Sequence, residues 1–162
     1  MAIVKKDTNM GWCGYSLYSG DGTQTSHYDF IKTAIPSLTD DDIGDFLLQS
    51  KTKIPQKLLP AFRKGIPAIL KKIDSPKKIF WDEDKAIEWQ MLLSLFVDNN
   101  LKVPHKVLVN GMIGSFYLLG EHSADFTFPS RRRAVIRKFM KKVDEKFCTV
   151  KARKEIKRFT LH

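Results

Sequence analysis

Apolar residues recur along most of this chain at the three- to four-residue spacing of amphipathic α-helices, and no stretch sustains the alternation of a β-strand. Between Asp82 and Asn99 almost every residue after Gln90 is apolar, which predicts a central helix contacted from several sides. From about residue 129 the apolar positions form one continuous stripe, made of Val135, Ile136, Phe139, Met140, Val143 and Phe147. The pattern predicts an all-α fold, a single-domain bundle of six or seven short helices over residues 1–162.

Turn and capping residues predict where the other helices begin and end. Thr39, followed by three aspartates, has the form of a capping box and predicts a helix start. Because a proline is rarely placed deep inside a helix, the prolines between 55 and 76 predict two short helices, at about 55–64 and 66–73. A further helix is expected from Pro104 to about Leu119, with Gly120 as its C-cap. On it, Gly111 and Gly114 indicate close packing against a neighbouring helix.

Residues 10–30 interleave four glycines with aromatic side chains, and two interpretations of this segment stay open. In one, backbone N–H groups from Gly20 to Gly22 bind an anion or a small ligand, with Asp21 or His27 nearby for chemistry. In the other, which we favour because Gly-Asp-Gly is an ordinary turn, the aromatic residues anchor an irregular N-terminal segment onto the core. Both place a helix through about Tyr28 to Ala34. Neither the P-loop spacing with its lysine nor the G-x-G-x-x-G pattern after a strand is present.

The same segment resembles the opening of a group of small bacterial proteins. The resemblance rests on Met10-Gly11-Trp12, Gly14, Tyr18 and Gly20-Asp21, and the insertion of residues 22–26 departs from the pattern. That family has no assigned activity, so the resemblance implies a bacterial origin and no function.

Positive charge is concentrated at the end of the chain. Residues 131–162 hold 13 of the 28 Lys and Arg against only three acids, and therefore carry the whole formal net charge of +10. Such asymmetry favours an interaction surface. The apolar stripe leaves a basic side on the last predicted helix, made of Arg131, Arg132, Arg133, Arg137, Lys138, Lys141, Lys142 and Lys146. Residues 149–162 have few apolar anchors and are expected to form a short helix or a mobile basic tail.

No specific catalytic, metal or cofactor motif is recognisable, so no cofactor or metal is predicted and the sequence favours a non-enzymatic protein. His122 and Asp125 could form an acid/base pair, but no Ser or Cys nucleophile is identifiable beside them. Cys13 and Cys148 lie far apart in the chain and outside any metal-ligand spacing. Reduced thiols are the simplest interpretation, and one bridge between them is the alternative. With no secretory signal and no apolar run that could span a bilayer, a cytoplasmic location is expected.

Two functions fit these features. The favoured one is a small interaction protein, such as a bacterial immunity or antitoxin protein or another regulator, that binds an acidic partner surface through the basic C-terminal helix. The alternative is sequence-independent binding of nucleic acid through the same helix, since no zinc finger, RNA-recognition signature or helix-turn-helix is present to read bases. Membrane-surface binding is disfavoured because the core needs the apolar stripe.

Overall fold

The fold is built around the apolar helix that follows Asp82. The computed structural model describes residues 21–44, 52–73, 81–121 and 130–160. Within them the chain forms one 3₁₀ turn (Gln56–Leu58), no strand, and six α-helices of at least 11 residues. These are α1 (Asp21–Ala34), α2 (Leu59–Ile73), α3 (Glu83–Asp98), α4 (His105–Glu121), α5 (Ser130–Phe147) and α6 (Val150–Thr160). The predicted all-α single-domain bundle is confirmed.

Helix α3 is the centre of the core, as predicted. Its N-cap Asp82 accepts a hydrogen bond from the backbone N–H of Lys85 at 2.8 Å, and 11 of its 16 residues are buried. At its C-terminus Asn100 takes a positive φ of 55°, a conformation that asparagine tolerates better than most residues. The following N–H, of Leu101, bonds back to the Phe96 carbonyl at 2.9 Å. Local capping therefore fixes both ends of the central helix.

Helix α4 packs closely along α3, and its glycines explain how. A Cβ on Gly111 would lie 2.5 Å from the Cβ of Leu93, and one on Gly114 would lie 2.7 Å from the Ala86 carbonyl oxygen. The predicted close packing is confirmed. The end of this helix is not where the sequence placed it, because α4 continues through Gly120 to Glu121. Phe116 on this helix is 41% exposed.

Helix α2 is a single helix where the sequence predicted two. Pro67 lies inside it without breaking it, although a proline removes one intrahelical hydrogen bond. The same side of the helix is buried before this proline, at Phe62, and after it, at Ile69 and Ile73. Packing therefore favours a continuous helix. Gly65 faces α1 so closely that a Cβ there would lie 2.2 Å from the Ala34 carbonyl oxygen. Gly65, which lies between the two predicted short helices, is the point of contact between α2 and α1.

The N-terminal part of the described chain is more helical than predicted. Helix α1 begins at Asp21, ahead of the predicted helix near Tyr28, so the described part of the segment 10–30 is not irregular. The predicted capping box is present at the helical turn 40–44. There the Thr39 N–H donates to Asp42 Oδ2, and the Asp42 N–H donates to Thr39 Oγ1, both at 3.1 Å. Hydrogen bonding of the Asp42 carboxylate to the side chain and the backbone of Thr39 lowers the pKa of Asp42.

Candidate functional site

Helix α5 carries the first part of the charged surface and is held by its apolar stripe. Ile136, Phe139 and Val143, spaced by three and four residues, are buried in the core. Val135, Met140 and Phe147 pack against the same core at its margin. The predicted stripe is therefore present, and it directs one set of basic side chains into solvent. These are Arg137, Lys138, Lys141, Lys142 and Lys146.

The first three arginines of the predicted basic side are less fully described. The backbone of Arg131 and Arg132 belongs to α5, and their side chains lie outside the described part of the chain. Arg133 is half-buried.

Helix α6 extends the charged surface into the stretch for which two alternatives were open. Thr149 caps it, since Thr149 Oγ1 accepts the Ala152 N–H and the Thr149 carbonyl accepts the Arg153 N–H, both at 3.0 Å. Ala152 is fully buried, Ile156 packs against the core, and Phe159 meets Trp81 edge to face at 6.0 Å between ring centroids. Of the two predicted alternatives, the structure therefore contains the short helix, over Val150–Thr160. Its exposed bases are Lys151, Arg153, Lys154, Lys157 and Arg158.

Two of the three acids in α5 and α6 pair with side chains of the same protein. Asp144 Oδ1 accepts a hydrogen bond from Arg153 Nε at 3.0 Å, and the Asp144 carbonyl accepts one from an Arg153 terminal nitrogen at 2.9 Å. This bond to Asp144 raises the pKa of Arg153. Glu155 pairs with His105 at the start of α4. These contacts join α5 to α6 and α6 to α4.

The ten exposed lysines and arginines of α5 and α6 together form what we call the basic surface. Among the described acids of these two helices, Glu145 is the one whose side chain makes no ion pair or hydrogen bond with a described residue. Eight of the ten make no hydrogen bond or ion pair with any described residue: Arg137, Lys138, Lys141, Lys142, Lys146, Lys151, Lys154 and Arg158. Most of these cations therefore have no ion-pair partner among the described residues.

A second charged feature, which sequence reasoning missed, lies between α1 and the start of α3. This acidic cleft has a volume of about 590 Å³ and is lined by Thr25, Ser26, Asp29, Asp82, Asp84, Lys85, Ile87 and Glu88. Glu88, on the otherwise buried helix α3, lines this cleft and pairs with Lys85 at 3.3 Å. No group of three or more His, Cys, Asp or Glu side chains in the described ranges is arranged to hold a metal ion.

The residues of the predicted ligand loop are placed differently from that prediction. Gly20 lies outside the described residues, while Asp21 and Gly22 belong to the first turn of α1 and not to a loop. His27 is 2% exposed, and burial lowers the pKa of its imidazole from 6.5 to about 4. His27 is therefore neutral near pH 7 and is buried in the core, where a ligand from solution does not reach it.

The remaining candidate groups carry no site within the described chain. His122, Asp125 and Cys13 lie outside the described residues. Cys148 is a free thiol, half-buried, and burial raises its pKa to about 11, which keeps it protonated and unreactive. No helix in the described ranges is both long and apolar enough to cross a membrane.

Comparisons with known proteins give no further guide. A scan against protein-family models, a search of curated proteins and a search of solved structures each found no match. The resemblance of the N-terminal segment stays a prediction.

Proposed function

We propose that this protein binds the phosphate backbone of nucleic acid, without sequence preference, through the basic surface of α5 and α6. The observation that carries the proposal is the charge balance of that surface: among the described residues, eight bases are unpaired against one unpaired acid, Glu145. Clustered Lys and Arg neutralise phosphates and release condensed counterions, which gives affinity independent of sequence. Self-repulsion of the unpaired cations is relieved when a polyanion binds.

Composition favours phosphate over a protein partner, which reverses the preference drawn from the sequence. Protein interfaces have an apolar core enriched in aromatic residues and depleted in lysine. On α5 and α6 the large apolar side chains other than Val150 are buried or half-buried, with Ile136 and Val143 fully buried. The same burial argues against a membrane surface, because the apolar side of the helix is already used.

Charge reversal on α5 tests the proposal. Lys138, Lys142 and Lys146 lie one helical turn apart in a single row, and all three are exposed. In the triple variant Lys138→Glu, Lys142→Glu, Lys146→Glu, fluorescence anisotropy with labelled mixed-sequence DNA of about 20 bases should show a large loss of affinity. Since each phosphate contact contributes about 0.9 to the slope of log affinity against log salt, the slope should become shallower by about 2.7.

A second triple variant provides the matched control. Lys53→Glu, Lys64→Glu, Lys71→Glu changes exposed lysines of the α2 region and lowers the formal net charge by the same six, from +10 to +4. It should keep most of the wild-type salt slope. Absence of wild-type binding to either single-stranded or duplex DNA at about 50 mM salt, where electrostatic binding is strong, would overturn the proposal. An equal loss in both variants would show that net charge, not this surface, is responsible.

An acidic protein partner remains the second candidate because of one side chain. Val150, at the start of α6, is 68% exposed and offers an apolar contact that a protein interface uses and a phosphate backbone does not. Affinity capture with and without nuclease treatment separates the two functions. A protein that stays bound after nuclease treatment and is lost in the Val150→Ser variant would favour the protein partner.

A further inference from the structure

The basic surface is a fixed array and not a flexible arm. Helix α5 is anchored by Ile136, Phe139 and Val143, and α6 by Ala152 and by the contact of Phe159 with Trp81. At the junction, the paired contacts from Arg153 to Asp144 link the two helices. The helices that carry these cations are positioned before any ligand arrives, which favours a ligand whose charges are also fixed in space.

The array is dense along α5. Its 18 residues give a length of about 27 Å, and its five exposed bases fall within residues 137–146, over about 14 Å of helix axis. Duplex DNA presents one charge for about every 1.7 Å of its axis, half as many per strand. A duplex supplies that density on a stiff frame, whereas a single strand must be ordered, at an entropic cost, to match the same array.

The groups that normally recognise single strands are missing from the basic surface. Proteins that bind single strands stack bases on aromatic side chains, which contributes about 1–3 kcal/mol per base. In α5 and α6 the aromatic residues are Phe139, Phe147 and Phe159, and all three are buried or half-buried. Between 130 and 160 the sequence contains no Tyr, Trp, Asn, Gln or His. Among the described residues of the whole chain, Phe116 on α4 is the one exposed Phe, Tyr or Trp.

We infer that the nucleic acid bound is double-stranded, held through its phosphates by the pre-positioned cations of α5 and α6. This inference rests on the proposed function and adds the form of the ligand. A single strand would gain only phosphate contacts from this surface and no stacking. A duplex gains the same kind of contact at higher charge density and without being ordered first.

Competition between matched ligands tests the inference. Anisotropy is measured on the full chain with a labelled duplex of about 20 base pairs and with each of its separated strands, at several salt concentrations between about 50 and 200 mM. The duplex should bind at least about tenfold more tightly than either strand, with the steeper salt slope, since slopes are about 0.9 per phosphate for duplex and 0.7 for single strands. Phe116→Ala should leave both affinities unchanged.

The two proposals fail in different ways. Equal or tighter binding of the single strand, or loss of binding in Phe116→Ala with retained helix content by circular dichroism, would overturn the inference and leave the proposed function standing. Failure of both duplex and single strand to bind at the lowest salt would overturn the proposed function itself.

Discussion

The acidic cleft and the basic surface are both clusters of like charge, but they differ in what those charges do for the fold. In the cleft, Asp82 caps α3 through the Lys85 N–H, Asp84 lies in the first turn where the helix dipole favours an acid, and Glu88 pairs with Lys85. On the basic surface, eight of ten cations pair with no described residue. The cleft acids have structural reasons to be present, and most of the surface cations have none.

This difference separates charge that local structure explains from charge that it does not. A cation in the last turn of a helix is favoured by the dipole, which covers Lys146 on α5 and Arg158 on α6. It does not cover Lys138, Lys141 or Lys142, which lie earlier in α5. A partner is therefore sought first at the basic surface, and the cleft is the region where substitutions should affect folding.

The largest expected effect is a pH-dependent loss of folding stability caused by His27 on α1. His27 has a pKa of about 4 in the folded protein because it is buried, against 6.5 when unfolded. Between these values the unfolded chain binds a proton that the folded chain does not, so stability is fully present above about pH 6.5 and is lost as pH falls toward 4. At 1.36 kcal/mol per pH unit this loss is about 3 kcal/mol. Urea unfolding at a series of pH values measures it.

A glutamine at the same position isolates the contribution of the imidazole. His27→Gln cannot take up a proton in this range. Between pH 6.5 and 4 the variant should therefore lose about 3 kcal/mol less unfolding free energy than the wild type. If His27→Gln loses stability as steeply as the wild type, other groups cause the acid sensitivity.

A smaller effect is expected where the cleft meets the start of α3. Asp82→Ala removes the N-cap acceptor of the Lys85 N–H and should cost about 1 kcal/mol of unfolding free energy. Asp84→Ala, in the same first turn but without the capping bond, should cost only a few tenths. Urea midpoints at neutral pH compare the two. Equal losses would mean that net acidity, and not capping geometry, stabilises this end of the helix.

Features set by neighbouring residues were predictable from the sequence. The Thr39–Asp42 capping box and the Asp82 cap rest on residues three apart, and the nearly unbroken apolar run after Gln90 marked α3 as central. Features that need tertiary contact were not. Continuity of α2 past Pro67 depends on burial of Ile69 and Ile73 and on the approach of Gly65 to Ala34. No local pattern records such a contact.

The two charged regions show the same limit. The acidic cleft joins residues 25–29 to residues 82–88, which only the packing of α1 on α3 brings together. The sequence left residues 149–162 as either a short helix or a mobile tail because they have few anchors. The anchors of α6 contact Trp81 and His105, which are far away in the chain. The bases of α5 were predictable because a stripe of local period fixes which side they occupy.

The smallest expected effect is the stability change on removing cations from the basic surface. Lys138→Ala with Lys142→Ala should change the unfolding free energy by no more than about 0.5 kcal/mol per site, because both side chains are exposed and pair with no described residue. The sign should be stabilising at low salt, where self-repulsion is least screened, and should shrink as salt is added. Glu145→Ala removes the exposed acid of the same helix and should show the opposite salt trend. Urea unfolding at low and high salt measures all of them. A loss above about 1 kcal/mol in the lysine variant would give these cations a structural role and remove the distinction between the two regions.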